Sequence, residues 1–233
     1  MAKHNVWMSV SDLMTGLMVI FLFVAVAYMN EVKKNENVLV DYVETKTNLH
    51  DKLVDEFASD TLRWQMSIGR DLTMKFNNPT VLFDQGKADI NPAFAQILDE
   101  FLPRYIDILL HDSLQSRIQE IRIEGHTDTV PFPSLDPDPY IANVKLSQQR
   151  ACNVIKYFRN MECFKQYTPE EQRKLEYWFT ANGLSYGRSL DHDGKHTIAT
   201  GKAMDPQLSR RVEFRIVTSG DEVLENFVNK NGE

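Results

Sequence analysis

The chain has 233 residues, 42% of them hydrophobic and 25% charged, with a formal net charge of −7. That length allows one or two domains of ~100–200 residues, and the ordinary Gly, Pro and Cys contents exclude collagen, low-complexity disorder and a disulfide scaffold. Net acidity without a long basic run excludes the clustered Lys and Arg that phosphate binding requires, so no nucleic-acid partner is expected.

The mean hydropathy of −0.37 conceals one very apolar segment. Leu13 to Met29 (LMTGLMVIFLFVAVAYM) carries no charged side chain. At ~1.5 Å per residue this run covers about 26 Å, slightly short of a ~30 Å hydrocarbon core. Extending it back to Trp7 closes the gap and sets Trp7 and Tyr28 at the two headgroup levels. One membrane-crossing helix is the reading. A cleaved signal peptide is the alternative, but it needs a basic start, a shorter apolar run and a small-residue cleavage site. Only Lys3 precedes the run, Tyr28-Met29-Asn30-Glu31 fits cleavage poorly, and no Cys stands near to carry a lipid anchor.

Asp12 stands about a turn and a half inside the helix if it begins near Trp7. A carboxylate there costs roughly 2.5–3.5 kcal/mol on insertion scales, so it normally faces protein or water and marks an ion path. Ser11, Asp12, Thr15 and Gly16 share one side, a small and polar stripe suited to close helix packing. Desolvation favours the neutral form of a carboxyl group, which makes reversible protonation accessible. On these residues alone Asp12 can equally be the N-cap of a helix starting at Leu13. One helix encloses no aqueous route, so an ion-carrying Asp12 requires a polytopic partner. The flanking charges, Lys3 against Lys33 and Lys34, slightly favour a cytoplasmic C-terminal side; the large domain that follows favours the reverse.

Residues 30 to about 69 are polar, free of Pro, and carry apolar residues at Leu39, Tyr42, Val43, Leu49, Leu53, Phe57 and Leu62. The mostly three- and four-residue steps predict a long amphipathic helix, either a parallel coiled coil between two copies or a single stalk on its own domain. Lys46 and Glu56 interrupt the seam. Leu72, Met74 and Phe76 then alternate as a short strand.

From 70 to 220, strands and helices alternate. Thr80–Phe83 reads as a strand. Asn91 to Leu110 reads as a helix, with Asn91 capping and Pro92 at its first position. Ile118–Glu124 reads as a strand, Ser147 to about Met161 as a helix, Tyr177–Ala181 as a strand, and Arg211–Thr218 as a strand of period two. The fold class is therefore α+β: a single N-terminal transmembrane helix, a helical stalk, and an α/β sandwich domain with helices on one face of its sheet. The domains are residues 1–29, tail and membrane helix; 30–69, helical linker; 70–220, the globular domain; and 221–233, a C-terminal tail. The loop from Thr127 to Asn143 carries four of the nine prolines and either shapes a site or only connects.

Three clusters can converge at one sheet edge: His126-Thr127-Asp128; Asn143, Leu146, Ser147 and Arg150; and Arg210-Arg211. An Asp and an Arg a few ångströms apart suit a zwitterion, the carboxylate taking an ammonium and the planar guanidinium a carboxylate. A mutual Asp128–Arg150 salt bridge is the alternative. The blocks IRIEGHTDTVP, NVKLSQQRACNVIKYF and SRRVEFRI resemble the OmpA/MotB family of peptidoglycan-binding domains, whose pattern runs G-H-T-D, N-x-x-L-S-x-x-R-A, R-R-V-E over about Val81 to Val217. The resemblance implies an OmpA-like domain binding the diaminopimelate end of the wall stem peptide. Asp128 would hold the ammonium and Arg150 the carboxylate, with Thr127, Asn143, Leu146 and Arg211 lining or supporting the pocket.

The segment Trp7-Met8-Ser9-Val10-Ser11-Asp12-Leu13-Met14-Thr15 is similar to the MotB signature W-x-x-S-[YF]-A-D-[LF]-M-T, departing from it at Val10 and Ser11. The match maps the ion-carrying aspartate onto Asp12, with Ser11 and Thr15 on the supporting membrane face, and disfavours the N-cap alternative. Within that branch the short N-terminal tail and the segment TPEEQRKLEYWFTANGLSYG resemble the ZorB subunits of Zorya anti-phage defence systems. Ala142 departs from that pattern, where an aromatic residue can stand. The resemblance implies an ion-driven (H⁺ or Na⁺) stator subunit of the bacterial inner membrane, N-terminus cytoplasmic and domain periplasmic. Two copies would sit in a ring of polytopic MotA-like (ZorA-like) subunits, anchored to peptidoglycan. A flagellar stator and a static membrane-to-wall tether are the alternatives.

Asp191-His192-Asp193-Gly194 resembles the start of a calcium loop but lacks the later Glu, so a solvated turn is expected. Asp136 and Asp138 are weak cation candidates. Cys152 and Cys163 on one continuous helix would lie ~16 Å apart, beyond the ~7 Å limit for a disulfide, so free thiols are expected. No nucleophile triad, Cys/His metal spacing or phosphate loop suggests catalysis, a resident metal or a cofactor.

Overall fold

In the computed structural model residues 2–77 and 79–221 are described, and the chain divides into two compact units, Met1–Glu44 and Thr45–Glu233. Of the expected C-terminal tail, residues 222–233 lie outside the described residues.

The first unit is helical throughout. Helix α1 runs unbroken over Ala2–Phe57, 56 residues; the run holds no Pro and Gly16 is its one glycine, so nothing in it stops helix propagation. It is long and apolar enough to cross a membrane, and Leu13, Leu17, Phe21, Phe23 and Val24 all present exposed side chains. Because α1 starts at Ala2, Asp12 lies in its interior, which removes the N-cap alternative. The side chain of Trp7 is outside those described.

The second unit takes up the last turns of α1. Leu49, Leu53 and Phe57 recur at four-residue steps and are at most 1% exposed, buried in the domain core. The spacing that suggested a coiled-coil seam therefore serves the chain's own domain here, and 92%-exposed Leu62 lies beyond the end of the helix. Arg104 fastens this end, donating from Nε to Glu56 Oε1 at 2.6 Å, from Nη2 to the Glu56 carbonyl at 2.6 Å and from Nη1 to Asp60 at 2.8 Å. Two elements follow before residue 69: helix α2 (Thr61–Trp64) and strand β1 (Met66–Ile68).

Strand β2 (Thr73–Phe76) is succeeded by α3 (Pro79–Leu82), a helical turn where the sequence suggested a strand; Pro79 opens the turn, and strand-like pairing is confined to a Phe83–Ile90 bridge. Helix α4 (Pro92–Leu110) has the expected cap, Asn91 accepting from the Ala93 N–H. A short α5 (Asp112–Gln115) leads to strand β3 (Ile118–Gly125). Helix α6 (Pro139–Asn160) begins eight residues before the expected Ser147, because Asp138 accepts from the N–H groups of Tyr140 and Ile141 and Pro139 presets the first turn. Helices α7 (Glu162–Gln166) and α8 (Pro169–Trp178) precede strand β4 (Phe179–Gly183), so Tyr177 is helical rather than extended. Two further turns, α9 (Thr197–Thr200) and α10 (Pro206–Ser209), lead to strand β5 (Val212–Thr218).

The five strands form one sheet ordered β1-β2-β5-β3-β4, parallel between β3 and β4 and antiparallel elsewhere. Period two sorts its faces. Met74, Phe76, Ile121, Ile123, Phe214 and Ile216 join Phe94, Phe101, Leu102 and Val154 in one apolar core. The other face carries Lys75, Glu213, Glu124 and Asn182 as a cross-strand row.

Candidate functional site

The site forms where β3 ends and β5 begins. The two strands are antiparallel with Gly125 opposite Val212, and the His126 N–H continues the ladder by donating to the Arg211 carbonyl at 3.0 Å. This pairing joins the cluster after β3 to the cluster before β5. Helix α6 supplies the third. A Cβ on Gly125 would stand 2.3 Å from the Ser147 carbonyl oxygen, and one on Gly183 2.5 Å from the Gln148 nitrogen. The two glycines thus let α6 press its backbone onto the ends of β3 and β4, and Arg150 follows one turn later.

The result is a cavity of about 310 Å³. Leu82, Phe83, Val130, Phe132 and Leu146 form its apolar walls, and Asp128, Arg150 and Arg210 bring charge to it. Arg150 is 7% exposed. It lies over the Phe83 ring at 4.9 Å, donating from Nε to the Lys87 carbonyl at 2.9 Å and from Nη2 to the Asp84 carbonyl at 3.3 Å. It forms no direct ion pair among the described residues; burial takes its pKa down to about 10, opposed by the nearby Asp128 carboxylate and helped by Arg210. A buried guanidinium with carbonyl partners and no direct ion pair has the chemistry to receive an anion.

Asp128 is the complementary group, 5% exposed. One oxygen accepts from the Val130 N–H at 3.0 Å and the other from Arg210 Nη1 at 2.9 Å. The Asp128–Arg150 salt bridge raised as an alternative is therefore not made. The partner is Arg210, which the site assignment from sequence omitted. Its sequence signal was the first Arg of the Arg-Arg pair, one residue too early to follow the alternation of β5.

The remaining predicted residues divide by role. Leu146 and Thr127 line the cavity, with the Thr127 N–H donating to the Ser185 carbonyl at 3.0 Å. Asn143 donates to the carbonyls of Val130 and Pro139 at 2.9 and 3.0 Å, pinning the proline-rich loop behind Asp128. Arg211 reaches the cavity wall, but its guanidinium is spent inward on Glu213 (2.6 Å) and on the carbonyls of Ser209 and Arg188.

Residues 82–183 match the OmpA family model. The chain is 37% identical over 225 residues to "Zorya protein ZorB" of the Crooks strain of Escherichia coli, covering 92% of this chain and 88% of that one. The chain belongs to the ZorB family. A second ZorB, from an enterotoxigenic Escherichia coli strain, is 22% identical over 92% of this chain and 81% of its own length. Among solved structures, a MotB-like protein of Desulfovibrio vulgaris is similar at 18% identity and a TM-score of 0.49, covering 76% of this chain and 96% of that one.

In this ZorB-family chain the second predicted site lies on α1. Ser11, Asp12 and Thr15 are all exposed, and the Thr15 hydroxyl donates to the Ser11 carbonyl at 2.8 Å. The hydroxyl is thereby satisfied within its own helix, and the Asp12 carboxylate is left facing outward.

Beneath the cavity is a buried charged cluster that sequence reasoning did not single out. Glu124, His126 and Glu213 bring three ligand-type atoms within 4.8 Å of one another. His126 Nε2 stands 3.8 Å from Glu124 and 3.9 Å from Glu213, outside hydrogen-bond range. The carboxylates are already matched: Arg211 bonds Glu213, Lys75 lies at 3.8 Å from it, and Arg215 is 3.7 Å from both glutamates. With Arg188 also 3.8 Å from Glu124, four cations against two carboxylates leave no net negative charge to attract a divalent ion. Burial alone would raise the Glu213 carboxyl, but Arg211, with the other cations, holds it at about 2. Burial lowers His126, keeping the imidazole neutral.

Two discounted signals find structural roles. Asp191 accepts from the N–H groups of Asp193 and Lys195, closing a turn, and Asp138 caps α6 while Asp136 pairs with Lys145 at 2.7 Å. Cys152 and Cys163 are free. They do not share a helix: α6 ends at Asn160, so the single-helix distance that argued for free thiols does not apply.

Proposed function

We propose that this chain is an ion-driven, stator-type subunit of an anti-phage defence system, anchored to the cell wall. It sits in the inner membrane with its N-terminus in the cytoplasm and its domain in the periplasm. Two copies lie within a ring of polytopic MotA-like partners, and Asp12 takes up and releases a proton or Na⁺. The driving term is ~2.3 kcal/mol per charge per 100 mV. The domain binds the free end of diaminopimelate in peptidoglycan, Asp128 receiving the ammonium and Arg150 the carboxylate. Its task is binding and anchorage. The observation that carries the reading is Arg150: a buried guanidinium without a direct ion pair, in an apolar-walled cavity, within a ZorB-family chain whose long apolar helix carries an exposed carboxylate.

The experiment pairs two single substitutions in the full chain. Arg150→Ala is expected to lose pulldown by purified peptidoglycan, and unchanged pulldown removes Arg150 from the wall site. Asp12→Asn is expected to keep pulldown and assembly while abolishing protection against phage. Retained protection excludes ion carriage at Asp12 and leaves a static tether; loss of swimming rather than of protection reassigns the chain to flagellar motility.

A further inference from the structure

The cavity holds two guanidinium groups and one acidic group to serve them. Asp84 also lines it, but its carboxylate is engaged by Lys87 at 3.0 Å, and Arg211 is matched by Glu213. That leaves Asp128, Arg150 and Arg210. Asp128 is bound to Arg210 at 2.9 Å, and Arg150 makes no direct ion pair. When a ligand ammonium also takes Asp128, one carboxylate serves the ammonium and Arg210 together, while Arg150 has none to itself. Two guanidiniums then face the ligand, and a zwitterion with a single carboxylate satisfies only one of them. The Arg210 side chain is 34% exposed, and its Nε has no hydrogen-bond partner among the described residues, so it has a donor left for a ligand.

We propose that Arg210 is a second anion receptor, so that the pocket selects a ligand bearing one ammonium and two carboxylates. The inference rests on the wall-binding reading above and sharpens its ligand. Once one amino group of diaminopimelate is in its peptide bond, the residue keeps one ammonium and two carboxyl groups. The second carboxyl is free only where the stem peptide ends at that residue. Arg150 reads the carboxylate beside the ammonium, and Arg210 reads the terminal one. The pocket thereby distinguishes stem peptides trimmed to the diamino acid from those carrying a further residue.

The test is titration calorimetry on the full chain in detergent. The probes are a synthetic L-Ala-γ-D-Glu-diaminopimelate tripeptide and the same peptide with its terminal carboxyl as the amide. Wild type is expected to prefer the free acid about tenfold or more, the size of one charge-assisted hydrogen bond. Arg210→Gln is expected to bind both peptides alike, and Arg210→Lys, which keeps the charge, to retain part of the preference. Equal wild-type binding of the two peptides, or an undiminished preference in Arg210→Gln, overturns the role of Arg210 while leaving wall binding in place. If wild type binds neither peptide, the wall reading falls and takes this inference with it.

Discussion

At the scale of single residues, the pocket works because the charges around it are matched unequally. Arg211 and Glu213 are both buried and hydrogen-bonded at 2.6 Å, a pair that props the cavity floor without being offered to a ligand. Substituting one partner leaves the other buried and unpaired, so Glu213→Gln is expected to cost about 3–5 kcal/mol at neutral pH, measured by denaturant unfolding. The pH dependence has a definite sign. Glu213 is held at about 2 against an ordinary 4.5, so its stabilisation is complete above pH 4.5 and is lost as pH falls toward 2. Burial lowers His126 below 6.5, so the unfolded chain binds its proton first and stability starts to fall below pH 6.5. Wild type should lose stability in both windows; Glu213→Gln should lose it chiefly in the upper one. A flat profile between pH 7 and 3 contradicts the assignment. Asp128, Arg150 and Thr127 were legible because they stand in compact motifs. The Arg210–Asp128 pair was not, since 82 residues separate its partners and only the β3–β5 pairing joins them.

At the scale of elements, the capping chemistry was the most readable signal and the hydrophobic rhythm the least. Asn91-Pro92 marked the start of α4 correctly. The equivalent Asp138-Pro139 marks α6, but the apolar period becomes plain only near Ser147, and reading from the period misplaced the start. Thr80–Phe83 has strand-forming residues yet forms α3, because Pro79 initiates a turn and a three-to-four-residue run has little pairing to offer against it. The helix-against-strand contact at Gly125 makes a direct prediction. Gly125→Ala places a methyl group 2.3 Å from a backbone carbonyl that cannot swing aside, and overpacking of this kind costs ~1–3 kcal/mol. It is expected to lower the unfolding free energy and weaken peptidoglycan pulldown together. Gly16→Ala, whose Cβ meets nothing within 4 Å, is the control for stability; an equal loss in both would discredit the contact.

At the scale of the whole molecule, two units divide the labour. Met1–Glu44 carries the apolar helix with Asp12; Thr45–Glu233 carries the sheet, the core and the pocket. The net charge of −7 describes neither one, since Leu13 to Met29 is uncharged and the acidity lies in the rest. In cell fractionation the full-length chain is expected to stay with membranes through an alkaline carbonate wash and to require detergent for release. Its appearance at shortened length in the soluble fraction would mean that the apolar segment is a cleaved leader.

Local chemistry determines much of this. A seventeen-residue uncharged run, a single carboxylate at its start and a series of Asx-Pro and Gly signals each act within a few residues, and sequence order preserves them. Long-range packing decided the rest. Whether Leu49, Leu53 and Phe57 would face a second chain or their own core depended on α4 lying beside them with Arg104. Which arginine would pair with Asp128 depended on the register of β3 against β5. Contacts of that kind are made by residues far apart in the chain, and no local pattern encodes them.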